Sequence, residues 1–185
     1  MELPMKRLGA AVIITALLAF AAAGCGGGDT SATEDWAGDV CSAVSDWQDQ
    51  IEQSGADIRE QLQSPGADSL EAIKDEITEA ADASIDLSEN LKALKPPDTE
   101  DGDRAQQEVD ALADQVDETV DKTRETIESV PEDASLTEVA AAVAPLLPSI
   151  QALITNVSGS ITSLKERGTE LNDAFEQADS CERYR

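Results

Sequence analysis

Apolar side chains recur every three or four positions along most of this 185-residue chain, with acids and amides between them. Such spacing places one stripe on one side of a helix. From Thr33 to Gln63 the stripe is Trp36, Val40, Val44, Trp47, Ile51, Ile58 and Leu62, with Cys41 on its flank. Ser64-Pro65-Gly66 ends it. A second helix is expected from Asp68 to Leu94, opened by Asp68-Ser69-Leu70-Glu71 and stopped by Pro96-Pro97. Its stripe is Leu70, Ile73, Ile77, Ala80, Ala81, Ser84, Leu87, Leu91 and Leu94.

A third helix is expected from Asp98 to Val130, with Ala105, Val109, Leu112, Val116, Val120, Thr123, Ile127 and Val130 on its seam. Acids crowd its first turn, where the helix dipole favours them. Ser135-Leu136-Thr137-Glu138 has the form of a capping box for a long fourth helix. Leu136, Val139, Val143, Leu147, Ile150, Ile154, Val157, Ile161, Leu164, Leu171, Phe175 and Ala178 carry its seam to Cys181. Pro145 and Pro148 remove two amide donors, so a kink or short break is expected there. Sustained period-two alternation is absent. The pattern predicts an all-α fold, an antiparallel up-down four-helix bundle over residues 34–185.

Composition narrows the partners. Aromatics are 3% of residues, so the core is mainly Ala and aliphatic side chains. The net charge is −26 and histidine is absent. Nucleic acid is not expected as a partner, because a phosphate-binding face needs clustered Lys and Arg. No nucleophile has a histidine to activate it, and no Gly-rich loop joins a strand to a helix. The many carboxylates define no particular acid–base pair. The expectation is therefore a non-enzymatic protein with no catalytic residue, no cofactor and no metal. Asp98-Thr99-Glu100-Asp101-Gly102-Asp103 is the densest acid cluster and reads as a cap and loop, weak divalent-cation binding being the alternative.

The N-terminus follows a different logic. Lys6 and Arg7 precede the almost wholly apolar stretch Leu8–Ala23. That stretch is shorter than the roughly 20 residues of a membrane-spanning helix and leads into Gly and acids. A basic start, an apolar stretch and small residues before a cut make a secretory signal. Ala22-Ala23-Gly24-Cys25 resembles the lipobox of bacterial lipoproteins, with Ala22 where Leu is commoner. The resemblance implies cleavage between Gly24 and Cys25, a diacylglycerol thioether on Cys25, and anchoring in the cell membrane on its extracytoplasmic face. Residues 1–24 would be the signal peptide and 25–33 a flexible tether that includes Gly26-Gly27-Gly28. Losing Glu2, Lys6 and Arg7 from 39 acidic and 13 basic side chains leaves the mature chain at −27.

In that oxidising compartment Cys41 and Cys181 are expected to pair as a disulfide. Free thiols or thiolate metal ligands are the alternatives, the second without a histidine or a Cys-x-x-Cys pair. Antiparallel first and last helices would bring the two cysteines together. Trp36 and Trp47 lie on one side of the first helix, as core packing or as an aromatic surface for a ligand. The segment Trp36–Cys41, with Trp47 and the distant Cys181, looks like small secreted lipoproteins of actinobacteria. That resemblance implies location and architecture and adds no activity. The expected role is a membrane-tethered binding or scaffold module that meets an envelope protein or a small ligand. A ligand-sensing bundle with a pocket near Pro145–Pro148, or a holdase-like chaperone, are the alternatives.

Overall fold

The computed structural model describes residues 28–64, 66, 68–131 and 134–185, of which 28–30 as backbone alone. Among these residues the only regular structure is helical. Six α-helices follow in order: α1 (Gly28–Gln63), α2 (Ser69–Ala93), α3 (Gly102–Glu128), α4 (Leu136–Val143), α5 (Leu146–Lys165) and α6 (Thr169–Gln177). A terminal 3-10 helix spans Asp179–Tyr184.

α1 packs most extensively on α2, and α2 on α3; α5 lies against α3, and α6 against α1. One main core holds Val40, Val44 and Trp47 of α1, Leu87 and Leu91 of α2, Val109, Leu112 and Val116 of α3, and Val157, Ile161 and Leu164 of α5. The small seam residues Ala81, Ala83, Ala105 and Ala113 are buried in it as well. A smaller second core joins Ile73 and Ile77 of α2 to Val139 and Val143 of α4, with Ala134.

The helix count is the first departure from the sequence reading. The expected fourth helix is three α-helices and a 3-10 turn. The break at Pro145 falls where the two prolines place it, and Pro148 sits in the first turn of α5, where its missing donor costs no hydrogen bond. The buried stripe runs on in phase across the break, from Val139 and Val143 to Leu146, Leu153 and Val157. Leu146 is buried, whereas Leu147, assigned to the seam from spacing, is 51% exposed.

The second break, at Glu166–Gly168, was not expected. Arg167 N–H closes a turn on the Leu164 carbonyl, and Gly168 is extended. A Cβ at Gly168 would lie 3.0 Å from Asp101 Oδ2, so the α2–α3 loop presses on this corner. Leu171, Phe175 and Ala178 are buried as expected, but from a separate helix.

Two helix starts also shift. α3 begins at Gly102, not Asp98, because Asp98–Asp101 form a turn in which Thr99 N–H bonds the Pro97 carbonyl at 2.8 Å. Gly102 is obligatory there: a Cβ would stand 1.8 Å from the Pro97 oxygen. α1 begins at Gly28, so residues 28–33, expected as tether, are helical. Thr33, Trp36 and Ala37 are buried at the end of this extension and just beyond it, whereas Ser31 and Ala32 within it are exposed. The α2 cap differs in detail. Asp68 makes no side-chain cap bond; Ser69 Oγ instead accepts from Gly66 N–H at 2.7 Å and donates to Gln61 at 2.8 Å. The Ser135–Glu138 capping box forms in both directions.

Candidate functional site

Cys25 and Gly24, with the whole 1–24 segment, lie outside the described residues. Cys25 stands three positions before the first residue of α1.

Cys41 and Cys181 are joined as a disulfide across 140 positions, with Cα atoms 5.1 Å apart and both residues buried. The bond pins the terminal 3-10 helix to α1. Around it runs a set of polar contacts that sequence spacing does not reveal. Ser180 Oγ donates to the Gly38 carbonyl at 2.8 Å, and Arg183 pairs with Asp49 at 2.7 Å. Tyr184 O–H donates to Gln48 Oε1 at 3.0 Å, and the Gln48 amide donates to Ser158 Oγ of α5 at 3.0 Å. Lys165 closes the ring by bonding Glu176 and the Tyr184 carbonyl. Gln48 is thus a buried amide with both ends satisfied, which ties α1, α5 and the C-terminus in one geometry. The only prior signal was a polar residue beside Trp47, too weak to assign.

Trp36 and Trp47 are both core residues, 4% and 2% exposed. Trp36 meets the edge of Phe175 with centroids 6.0 Å apart. Trp47 Nε1–H donates to Ser84 Oγ at 2.9 Å, and the Ser84 hydroxyl donates in turn to the Ala80 carbonyl at 2.8 Å. This is the packing role, with neither ring offered as a ligand platform. The Trp36 Nε1–H has no acceptor among the described residues.

A cavity of about 500 Å³ opens where the acid cluster meets the start of α6. Asp98, Thr99, Glu100 and Asp101 line one side, Gly168 to Leu171 the other. It lies at the far end of α5 from Pro145–Pro148, where a pocket was envisaged. Among the described residues no three carboxylate or cysteine side chains are placed to hold a metal ion.

The perturbed carboxylates all move in one direction. Lys92 holds Asp117 below the ordinary range, Lys122 does the same for Glu118, and Lys165 for Glu176. Hydrogen bonds from Ser135 lower Glu138. Each is a carboxylate held ionised by a partner, the reverse of an acid kept protonated for catalysis. Burial raises the Tyr184 phenol, which stays a neutral donor in the C-terminal network.

No family model matches this chain, and neither curated proteins nor solved structures give a match.

Proposed function

We propose that the protein is a lipid-anchored, extracytoplasmic and non-enzymatic binding or scaffold module of the bacterial cell envelope. The observation that carries this reading is the N-terminal constellation: Lys6-Arg7, the apolar stretch to Ala23, and Ala22-Ala23-Gly24-Cys25. A buried disulfide supports it, since such bonds persist in oxidising compartments. Two acyl chains on Cys25 give firm anchoring. The helical body beginning at Gly28 would then stand close to the lipid, its four long helices α1, α2, α3 and α5 forming an up-down bundle with α4 and α6 as additions. The partner is an envelope protein or a small ligand; nucleic acid is disfavoured by charge.

The non-enzymatic reading rests on the lack of histidine and on carboxylates shifted down rather than up. The ligand-sensing alternative calls for an apolar pocket at Pro145–Pro148, whereas the cavity described is acidic and elsewhere. A holdase would present a broad apolar groove; Leu62 and Leu147 are the large apolar side chains exposed among the described residues.

The test is Cys25→Ser, followed by cell fractionation and mass spectrometry of the N-terminal peptide. The expected result is a diacylated Cys25 peptide in the parent, and loss of processing and membrane association in the variant. Unchanged processing and fractionation would overturn the reading.

A further inference from the structure

Charge is distributed unevenly along this molecule. Charged residues make up 28% of the chain, yet none occurs from Val139 to Leu164, 26 consecutive positions. The helical stretch Leu136–Lys165 is long and apolar enough to cross a membrane by length and composition alone, although Pro145 divides it. Only 22% of its most apolar window is buried.

The buried face of α5 is Leu146, Leu153, Val157, Ile161 and Leu164. Turning by about 100° per residue, the opposite face carries Pro148, Ala152, Thr155, Gly159 and Thr162, all exposed. Beyond the helix's own backbone, no atom of the described residues lies within 4 Å of where a Gly159 Cβ would be, so none of them covers that point of the face. Leu147, half exposed, stands at its α4 end. α1, α2 and α3 by contrast carry exposed acids on every outward turn, such as Asp46, Asp49, Glu79, Asp86, Asp110 and Asp114.

We infer that this uncharged outer face of α5 is where two copies of the chain pair. The occupant follows from charge. Bodies of −27 repel each other wherever acidic helices meet, and like charges apposed across an interface oppose association. A two-fold contact sets the same patch against itself. Along the α5 face that puts no carboxylate opposite another, and Ala152 and Gly159 let two helices approach closely. A lipid surface suits the face less well. It offers Ser, Thr, Gln and Asn, where an interfacial helix uses aromatic and basic side chains. One exposed helix face about 30 Å long gives a small interface, near the lower bound of about 1,000 Å² for specific association. The pairing is therefore weak in dilute solution and gains from confinement on a shared surface.

Thr155 lies at the middle of the face, so a two-fold axis brings it to its own copy whether the α5 helices run parallel or antiparallel. The full chain carrying Thr155→Cys, exported by a bacterial host, is oxidised in intact cells and separated without reductant. A reducible species of twice the chain's mass is expected, several-fold above that from Ala111→Cys, an exposed position on acidic α3. Adding Ala152→Glu should lower the band about tenfold through like-charge repulsion. Gly159→Glu is the second variant, should the first disturb folding. Purified full chain in mild detergent should associate more strongly as salt rises, since screening weakens the repulsion between bodies. A band no stronger than the Ala111→Cys control overturns the inference. So do adducts of other masses, which would place a different protein on the face, and association that weakens with salt. An arm with Cys25→Ser separates this inference from the anchor: membrane fractionation judges the lipid, and the doubled band judges the face.

Discussion

The two ends of α5 lie in regions held together by different means. At its C-terminal end, Lys165 joins a closure built from distant parts of the chain. There α1, α6 and the terminal 3-10 helix share a disulfide, the Trp36–Phe175 contact and the Gln48–Tyr184 network. At its N-terminal end, α4 packs through Val139 and Val143 into a small core and is capped locally by Ser135 and Glu138. Contacts between positions more than 130 apart hold the first region, such as Ser180–Gly38 and Arg183–Asp49; packing of α4 on α2 and a local cap hold the second. Contact density and covalent closure should make the first the more stable unit, because regions with few buried apolar contacts open at lower free energy.

The strongest challenge to that contrast is a pair of truncations. Phe175→Ala removes a fully buried ring against Trp36 and should cost about 3–5 kcal/mol. Val139→Ala, in the α4 core, should cost roughly 2 kcal/mol. Urea unfolding of both variants checks the ratio; equal losses would erase the distinction. Next, the double variant Cys41→Ala/Cys181→Ala should lose about 2–5 kcal/mol, the usual range for removal of a native disulfide. Hydrogen exchange should then show newly labile amides in residues 179–184 and the first turns of α1, with α4 unchanged. Uniform loss of protection would mean the bond stabilises the whole fold and not this closure in particular.

A smaller effect sharpens the other side. Ser135→Ala deletes the capping box and should cost about 1 kcal/mol, with faster amide exchange confined to α4. The smallest effect is on pH. Glu176 and Glu138 sit below their ordinary value, so the native state binds fewer protons than the unfolded chain. Their contribution is fully present above the ordinary carboxylate range and is lost as pH falls through the depressed values. Lys165→Met should flatten the acid side of the stability profile for the closed end, and Glu138→Gln for α4. An unchanged profile in both would show that these exposed pairs carry no measurable coupling.

Much of the architecture was legible because burial imposes a period. Val40, Val44, Leu87, Leu91, Val109, Leu112, Val116, Val157 and Ile161 are all core residues, as their spacing implied. The stop at Pro96-Pro97, the cap at Ser135 and the break at Pro145 were legible because proline and capping side chains act on adjacent backbone. The pairing of Cys41 with Cys181 followed from compartment and parity once Cys25 was set aside.

What spacing missed has a common cause. An apolar stripe does not record whether its helix is continuous. The Leu164, Leu171 and Phe175 spacing suits one long helix, but Gly168 turns the chain where Asp101 from a distant loop crowds it. Leu147 shows a related limit: spacings of three and of four from Val143 suit a helix equally, and it is Leu146 that is buried. That residues 28–32 are helical was not legible, because Gly28, Asp29 and Thr30 rank low in helix propensity.

By itself, then, the sequence determined the helical class, most of the seams and the local stops, since each depends on near neighbours or on composition. The tertiary structure alone decided that the fourth seam divides at Gly168, that Gln48 joins α1 to α5 and Tyr184, that both tryptophans turn inward, and that one uncharged face of α5 is left uncovered. Those outcomes depend on which residues from distant parts of the chain meet, and no local spacing encodes that meeting.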